Sequence, residues 1–167
     1  ADRVKRELLD RVLRSTDRPV RALMVPRVDM YMLSLMQSHE QWLEQIRKSG
    51  FSRYPVSEDG DPDHIIGYVY VKDMLLTRAL PKGGLRALKR DVLFVPESSE
   101  VGEVLSQFQR TRIPLAIVVD EYGGTSGLVT IEDVVEELVG DIQDELDAEP
   151  PSVQMREDGT LLVDGTV

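Results

Sequence analysis

Residues 120–142 read Asp-Glu-Tyr-Gly-Gly-Thr-Ser-Gly-Leu-Val-Thr-Ile-Glu-Asp-Val-Val-Glu-Glu-Leu-Val-Gly-Asp-Ile. The glycine-rich segment 123–127 is typical of a tight turn, and Leu128-Val129 is typical of a strand. From Thr130 onward, apolar residues recur at the spacing of a helix. The sequence therefore predicts a strand that leads directly into a helix near Thr130.

The start of this helix has the chemistry to bind an anion. The first backbone N–H groups of a helix lack internal partners, and the peptide dipoles place partial positive charge there. Thr130 is a good N-cap, and Asp133, three residues later, has the spacing of a capping box. On spacing alone, two interpretations stay open. The pair either only caps the helix, or it also belongs to an anion-binding site.

The sequence contains an internal duplication. Three blocks recur in the same order at a nearly constant offset, which is hard to obtain by chance. Residues 35–40 match 95–100, residues 53–56 match 112–115, and residues 67–75 match 127–135. We therefore expect two copies of one structural unit.

Each unit is predicted to run strand-helix-strand-strand-helix, which makes the fold class α/β (α+β). The first unit is expected to have strands at 31–35, 53–57 and 65–71 and helices at 38–48 and 72–79. The second is expected to have strands at 92–95, 114–120 and 127–129 and helices at 99–110 and 131–139. Such a unit leaves one sheet face bare, so the two copies are expected to pack sheet to sheet.

The connections divide the chain further. Residues 2–15 have one apolar stripe, which predicts a helix, and residues 20–27 predict a short helix or turn broken by Pro26. The expected organisation is a connector helix in 1–18, a first unit in 19–80, a linker in 81–84, a second unit in 85–142, an acidic linker in 143–151 and the start of a truncated further domain in 152–167, with a hairpin turn at Asp158-Gly159.

Composition restricts the class of protein. The chain has 167 residues, 41% hydrophobic and 30% charged, with no apolar run near the ~20 residues that span a bilayer. The net charge of −10 argues against nucleic acid as a partner. The absence of cysteine excludes disulfides and thiolate chemistry. Basic residues outnumber acidic ones in 1–27, which indicates either a solvated face or a segment beside an anionic membrane.

No catalytic constellation is evident. Glu132 and Asp133 are adjacent on a helix and point about 100° apart, which is poor geometry for shared acid-base work. His39 and His64 are read as surface residues, since no spaced carboxylate cluster accompanies them. The acidic run 144–149 has no spacing that specifies a metal site. The chain is therefore not expected to be an enzyme.

The duplicated blocks resemble the paired CBS domains, or Bateman module, of the CorC and CNNM magnesium transporters, a family also called hemolysin-like. The narrower resemblance rests on four segments: Met24-Val25-Pro26-Arg27, Ser52-Arg53-Tyr54-Pro55-Val56, Asp120-Glu121-Tyr122-Gly123-Gly124 and Val139-Gly140-Asp141-Ile142-Gln143-Asp144-Glu145. Residues 152–167 resemble the opening strands of the family's C-terminal domain.

This resemblance implies a regulatory module and not a catalyst. It implies binding of ATP with Mg²⁺, with ADP or AMP as other possible ligands, and assembly into a homodimer. In the family, a transmembrane domain of the same full-length chain precedes the connector helix. The chain is therefore expected on the cytoplasmic side of the cell membrane, as a cytosolic fragment or a soluble member, where it would control efflux of magnesium or another divalent cation.

The resemblance also implies which residues bind the nucleotide. Asp133 would hold the ribose hydroxyls, and Thr130 and Arg53 would contact phosphate. The rest of the expected site consists of Phe51 on the adenine or ribose side, Val25 and Pro26 on the opposite wall, and Ile131 and Tyr54.

Two positions depart from the family pattern. Val25 stands where a threonine is frequent, which removes a hydroxyl from the phosphate side. Tyr70 stands in the first unit where Thr130 stands in the second, so the mirror site at Asp73 is expected to be empty or degenerate. One nucleotide per chain is expected. The alternative is a dimerisation or scaffold module whose nucleotide site has decayed.

Overall fold

The computed structural model describes residues 2–7, 17–76, 80–147, 153–155 and 161–163. Residues 2–7 are helical. The strands are β1 (Val25–Pro26), β2 (Leu33–Ser34), β3 (Arg53–Ser57), β4 (Ile65–Tyr70), β5 (Leu93–Pro96), β6 (Leu115–Val119), β7 (Thr125–Thr130), β8 (Val153–Met155) and β9 (Leu161–Val163). The helices are α1 (His39–Ser49), α2 (Val71–Leu76), α3 (Leu85–Leu88), α4 (Val101–Thr111) and α5 (Ile131–Asp147), with 3₁₀ turns at Val20–Ala22, Arg27–Asp29 and Pro62–His64.

The described strands form three sheets. The order is β2-β3-β4 in the first sheet, β1-β7-β6-β5 in the second and β8-β9 in the third. β2 is parallel to β3 and β5 is parallel to β6, whereas the hairpin pairs β3–β4 and β6–β7 are antiparallel. The predicted α/β fold class and the duplication are confirmed.

The two larger sheets face each other across a shared apolar layer. Its buried residues come from both units: Ile65, Tyr68, Leu115, Ile117 and Leu128. Burying a residue such as Leu115 or Ile117 contributes about 1.5–3 kcal/mol each. The bare face of each sheet is therefore covered by the other unit, as predicted.

The structure corrects the register of the second matched block. Arg53 lies opposite Tyr70 in the β3–β4 hairpin, and Leu115 lies opposite Thr130 in the β6–β7 hairpin. Since Tyr70 and Thr130 are equivalent, the counterpart of Arg53 is Leu115. The predicted match of Arg53 with Arg112 is wrong by three residues, because the sequence match followed the Arg-x-Pro pattern and not the strand pairing.

Helix ends correct the first matched block in the same way. The sequence match pairs Ser38 with Ser98, whereas Ser38 and Glu100 are the N-caps of α1 and α4. At the other ends, Gly50 and Arg112 are equivalent C-caps in the left-handed region, with φ of 73° and 59°. A non-glycine residue at such a C-cap gives no glycine signal. The block that includes Gly67 and Gly127 keeps the predicted register.

Each unit contributes its entry segment to the other. Val20, in the 3₁₀ turn before β1, is buried in the second unit's core, and β1 pairs with β7. Leu85, in α3, is buried in the first unit's core, and Arg90 forms a bridge with Tyr68 of β4. Residues 20–27 therefore form a turn followed by a strand, where a helix or turn alone was predicted.

A second contact between the units lies at the start of β4 and β7. The Arg27 guanidinium donates to Asp63 and, over 3.1 Å, to the Thr125 carbonyl, while the Thr125 N–H donates to Asp63 over 2.9 Å. The hydrogen bond from Arg27 is the main cause that lowers the pKa of Asp63. The carboxylate is therefore kept charged where the two units meet.

The last long helix extends beyond its expected end. It runs without interruption to Asp147, so residues 143–147 are helical and not the first part of a linker. The turn predicted at Asp158-Gly159, residues 8–15 of the connector helix and residues 77–79 lie outside the described residues. Among the helices that the structure describes, none combines the length and apolarity needed to cross a membrane.

Gly127→Ala should lower the free energy of unfolding by about 2–3 kcal/mol, since strain of this kind has that size. A Cβ at Gly127 would stand 2.2 Å from the Val25 carbonyl oxygen, which belongs to a paired strand and cannot yield easily. Urea unfolding followed by circular dichroism measures the change.

Gly140→Ala is the matched control, because a Cβ there meets no atom within 4 Å. It should raise stability by about 0.5–1 kcal/mol through helix propensity. Equal effects of the two substitutions would contradict the close packing of β1 on β7.

Candidate functional site

A cavity opens between the two units at the end of β7. Its volume is about 180 Å³. The lining residues come from β1, from the segment before β2, from both hairpins and from the start of α5: Val25, Asp29, Met30, Tyr31, Phe51, Arg53, Pro55, Leu115, Leu128, Thr130 and Asp133. The cavity is therefore built by both units.

One end of the cavity is the start of α5. The Asp133 N–H donates to Thr130 Oγ1 over 3.2 Å, and the Thr130 N–H points to Asp133 Oδ2 at 3.4 Å. The strand–helix junction is fixed by the Ile131 N–H, which donates to the Pro114 carbonyl over 2.9 Å. Thr130 and Asp133 thus cap the helix and also line the cavity, and their role in anion binding stays a prediction.

A cation stands beside this helix start. Arg53, the first residue of β3, makes an ion pair with Glu132, with Nη1 and Oε1 2.8 Å apart. Its guanidinium carbon also lies 5.4 Å from the centre of the Tyr70 ring. Because β3 begins where β7 ends, the first unit places a positive charge at the second unit's helix N-terminus.

The opposite end of the cavity is aromatic. The rings of Tyr31 and Phe51 lie 5.5 Å apart, and about half of each side chain is exposed. Tyr54 is fully buried below them. Its hydroxyl accepts from the Phe51 N–H over 2.9 Å and contacts Ser49 Oγ at 2.7 Å. The exposed rings of Tyr31 and Phe51, supported by the buried Tyr54, can stack on a planar group.

The structure brings five of the eight expected site residues together. Val25, Phe51, Arg53, Thr130 and Asp133 line the cavity. The other three do not line it. Tyr54 supports Phe51 from the core, Ile131 packs against the second unit's core, and Pro26 is exposed in β1.

Sequence reasoning missed several lining residues: Asp29, Met30, Tyr31, Pro55, Leu115 and Leu128. Leu115 was identifiable in principle, because the correct repeat register makes it the counterpart of Arg53. Tyr31 had no local signal, since its approach to Phe51 depends on how the two segments pack. Within the described ranges, no group of three or more His, Asp or Glu residues could hold a metal ion.

The arrangement offers complementary partners to a polar, anionic and partly planar molecule. Backbone N–H groups at a helix start and a guanidinium suit phosphate. A carboxylate suits a pair of hydroxyl donors. Exposed rings and aliphatic walls suit a flat heterocycle. The geometry of the cavity lining therefore suits the binding of such a molecule.

Comparison with known proteins finds relatives in sequence and in structure. The CBS domain pattern matches residues 85–140. The magnesium and cobalt efflux protein CorC of Escherichia coli (strain K12) is 40% identical over 150 residues, which cover 89% of this chain and 51% of that protein. The chain spans only 37% to 59% of the length of the first curated relatives.

Solved structures agree in fold. The CBS domain of a bacterial CNNM/CorC family Mg²⁺ transporter in complex with ATP has a TM-score of 0.73 and 38% identity, and the match covers 81% of this chain and 97% of that one. A CBS-domain pair with bound AMP from Klebsiella pneumoniae has a TM-score of 0.64 and 30% identity, covering 73% and 98%.

Thr130→Val should lower the free energy of unfolding by about 1 kcal/mol, the usual cost of losing an N-cap hydroxyl. Valine keeps the shape of threonine but cannot accept from the Asp133 N–H. Thermal unfolding of the unliganded protein checks this. Thr130→Ser keeps the acceptor and should stay within a few tenths of a kcal/mol of the wild type. Equal losses in the two variants would show that the hydroxyl does not cap α5.

Proposed function

Since the chain belongs to the CBS-domain modules of the CNNM/CorC family of Mg²⁺ transporters, we propose that it is a regulatory module that binds Mg-ATP. In this proposal it forms a homodimer and controls efflux of magnesium or another divalent cation by a membrane domain of the same full-length chain. It works on the cytoplasmic side of the membrane and catalyses no reaction itself.

The observation that carries the proposal is the convergence of Thr130, Asp133 and Arg53 on one cavity that also contains the Tyr31–Phe51 pair. ATP has a group that suits each part of this cavity. Its ribose hydroxyls donate to the Asp133 carboxylate, its phosphates accept from the α5 start and Arg53, and its adenine lies between the rings and Val25. A charged hydrogen bond of this kind contributes about 1.5–3 kcal/mol.

Arg53 and Glu132 explain why magnesium would accompany the nucleotide. In the unliganded protein, the guanidinium is already paired with the Glu132 carboxylate at 2.8 Å. Phosphate must therefore compete for Arg53, and it must do so beside a negative charge. Magnesium bound to the phosphates would reduce that repulsion, whereas this chain supplies no metal cluster of its own among the described residues.

ADP and AMP share the adenosine contacts, so this half of the site does not select among the three nucleotides. The phosphate half does, because Arg53 and the helix start attract the more highly charged ligand. ATP is therefore the preferred ligand, and ADP and AMP are weaker ones.

Exposed apolar side chains on α2 and α5, the helices that follow the two hairpins, support the proposed dimer. On α2, Leu75 and Leu76 are 72% and 83% exposed, and on α5 Val135 and Val139 are 45% and 48% exposed. Residues of this type on both equivalent helices form a surface that a second copy can cover around a two-fold axis.

A direct contact supports the link to a preceding membrane domain. Arg18, the last residue of the expected connector 1–18, makes an ion pair with Glu137, with Nη1 and Oε1 2.6 Å apart. Its carbonyl accepts from the Val101 N–H over 2.8 Å. Glu137 lies one helical turn after Asp133 on α5. The chain that enters the module is therefore attached to the helix whose start forms the nucleotide site.

The scaffold alternative rests on Val25, which offers no hydroxyl to phosphate, and on Tyr70, a bulky ring in the first unit where a small cap is wanted. The cavity contains Arg53, Thr130 and Asp133, and Val25 contributes an apolar wall, so the nucleotide-binding hypothesis is favoured.

Mg-ATP should raise the melting temperature in a dose-dependent way, since a ligand that binds only the native state stabilises it by about 2.7 kcal/mol at a hundredfold excess over Kd. Asp133→Ala should abolish the rise while leaving a folded protein. Asp73→Ala, the equivalent change in the first unit, should keep it. Differential scanning calorimetry measures the melting temperature without nucleotide and with Mg-ATP at about 5 to 100 times its Kd, the range in which the stabilisation develops.

An absent response in the wild type would contradict the nucleotide site and favour the scaffold. A rise in melting temperature that survives in Asp133→Ala but is lost in Asp73→Ala would place the ligand in the first unit and contradict the proposed site.

Val139→Glu should convert the dimer to a monomer, because it places a charge in the apolar surface that the second copy would cover. Sedimentation velocity over a range of concentrations, with and without Mg-ATP, checks the assembly state. Glu136→Gln, an exposed polar change on the same helix, is the control and should remain dimeric. A wild type that is monomeric at every concentration would contradict the dimer.

A further inference from the structure

Asp73 in the first unit is the counterpart of Asp133 in the cavity, and its carboxylate is already bound by Arg90. The Arg90 Nε donates to Asp73 Oδ2 over 3.0 Å, and Arg90 Nη2 donates to Asp73 Oδ1 over 3.1 Å. Both carboxylate oxygens are used in a two-pronged contact. Asp73 is equivalent to Asp133 in the matched block that keeps its register, so this contact involves the carboxylate that would bind ribose in a second site.

Position 90 is the structural equivalent of position 25. Arg90 exchanges two backbone hydrogen bonds with Tyr68, at 2.8 and 2.7 Å, and Val25 pairs with Leu128, the counterpart of Tyr68. The same close approach recurs beside each pair. A Cβ at Gly67 would stand 2.5 Å from the Arg90 carbonyl oxygen, as one at Gly127 would stand 2.2 Å from that of Val25. The two backbones therefore present their side chains to equivalent places.

Different side chains at this position give the two units different sites. Val25 is short and apolar, and it forms a wall of the cavity beside Asp133. Arg90 is long and cationic, and it reaches across to Asp73. Its pKa is raised mainly by the hydrogen bond to Asp73, so the guanidinium stays charged at any physiological pH.

Tyr70 completes the contact. Its ring stands at the position of Thr130, with the Arg90 guanidinium carbon 5.8 Å and the Arg53 guanidinium carbon 5.4 Å from its centre. Cations stacked on a ring face are held in addition to their ion pairs. Both arginines are thus fixed by a carboxylate and by the same ring.

Resting on the proposed function, we propose that Arg90 closes the first unit's nucleotide site by occupying Asp73 as a built-in ligand, so that the chain binds one nucleotide and not two. Arg90 is then the residue that determines which half of the duplicated fold receives the ligand. Tyr70 holds the arginine in place and replaces the small cap that phosphate needs.

The test is to open the closed site. The double variant Arg90→Val and Tyr70→Thr gives the first unit the residues of the second at these two positions. Isothermal titration calorimetry with Mg-ATP should give about one nucleotide per chain for the wild type and two for the double variant. Adding Asp73→Ala to the double variant should return the number to one, which locates the new site.

Arg86→Val is the matched control. It removes an arginine four residues earlier, from an exposed ion pair with Glu58 in which Nη2 and Oε1 are 3.0 Å apart. It should bind one nucleotide with the affinity of the wild type.

Each stoichiometry decides between the proposals. One nucleotide in both the wild type and the folded double variant overturns the closure by Arg90, as do two in the wild type. If the wild type binds none, the proposed function fails, and the closure is then supported by one nucleotide in the double variant and overturned by none.

The reciprocal variant keeps the proposal testable if the double variant does not fold. Val25→Arg places the same side chain beside Asp133 and should weaken Mg-ATP binding at least a hundredfold in a protein that still unfolds cooperatively. Binding as tight as in the wild type would show that an arginine at this position does not close a site.

Discussion

The close approach of one unit's entry segment to the other unit's hairpin determines most of this structure. At Gly127 and Gly67 there is no room for a Cβ, because the carbonyl oxygens of Val25 and Arg90 would lie 2.2 and 2.5 Å away. These two contacts determine that Val25 lies beside Asp133 and that Arg90 lies beside Asp73. They make the cavity a product of both units, and they also bind the units to each other across the shared apolar layer.

The electrostatics of the unliganded site follow from that arrangement. Arg53 is brought from the first unit to the second unit's helix start, where Glu132 neutralises it and Tyr70 packs against it. The Arg53 guanidinium thus lies next to the place where phosphate would bind. The 17-residue helix that begins there spans about 25 Å and carries Glu137, which anchors Arg18. The start of α5 and the chain segment that enters the module are therefore joined through one helix and one ion pair.

Much of the fold could be predicted from the sequence, because turn chemistry, hydrophobic period and duplication agreed on it. The strand–helix junction at Thr130 and the capping-box spacing of Asp133 are local features, and the structure contains both. The repeat register was wrong in two blocks because matching letters such as Arg-x-Pro are not equivalent in strand pairing. Arg112 at a left-handed C-cap concealed its equivalence to Gly50.

The parts of the site that the sequence did not reveal depend on long-range packing. Nothing in residues 20–30 indicates that β1 joins the other unit's sheet or that Tyr31 meets Phe51. The contact of Arg90 with Asp73 joins residues on two elements, and only the structure brings them together. Tyr54 was expected in the site on the resemblance to the family, but its burial places it behind Phe51 as support.

The most direct measurement is a crystal structure of the protein grown with Mg-ATP. The account predicts one nucleotide per chain in the cavity between Val25 and Asp133, with its ribose on the Asp133 carboxylate, its phosphates at the start of α5, and Arg53 turned from Glu132 toward phosphate. A vacant cavity with nucleotide density at another place, or a nucleotide on Asp73 in place of Arg90, would contradict it.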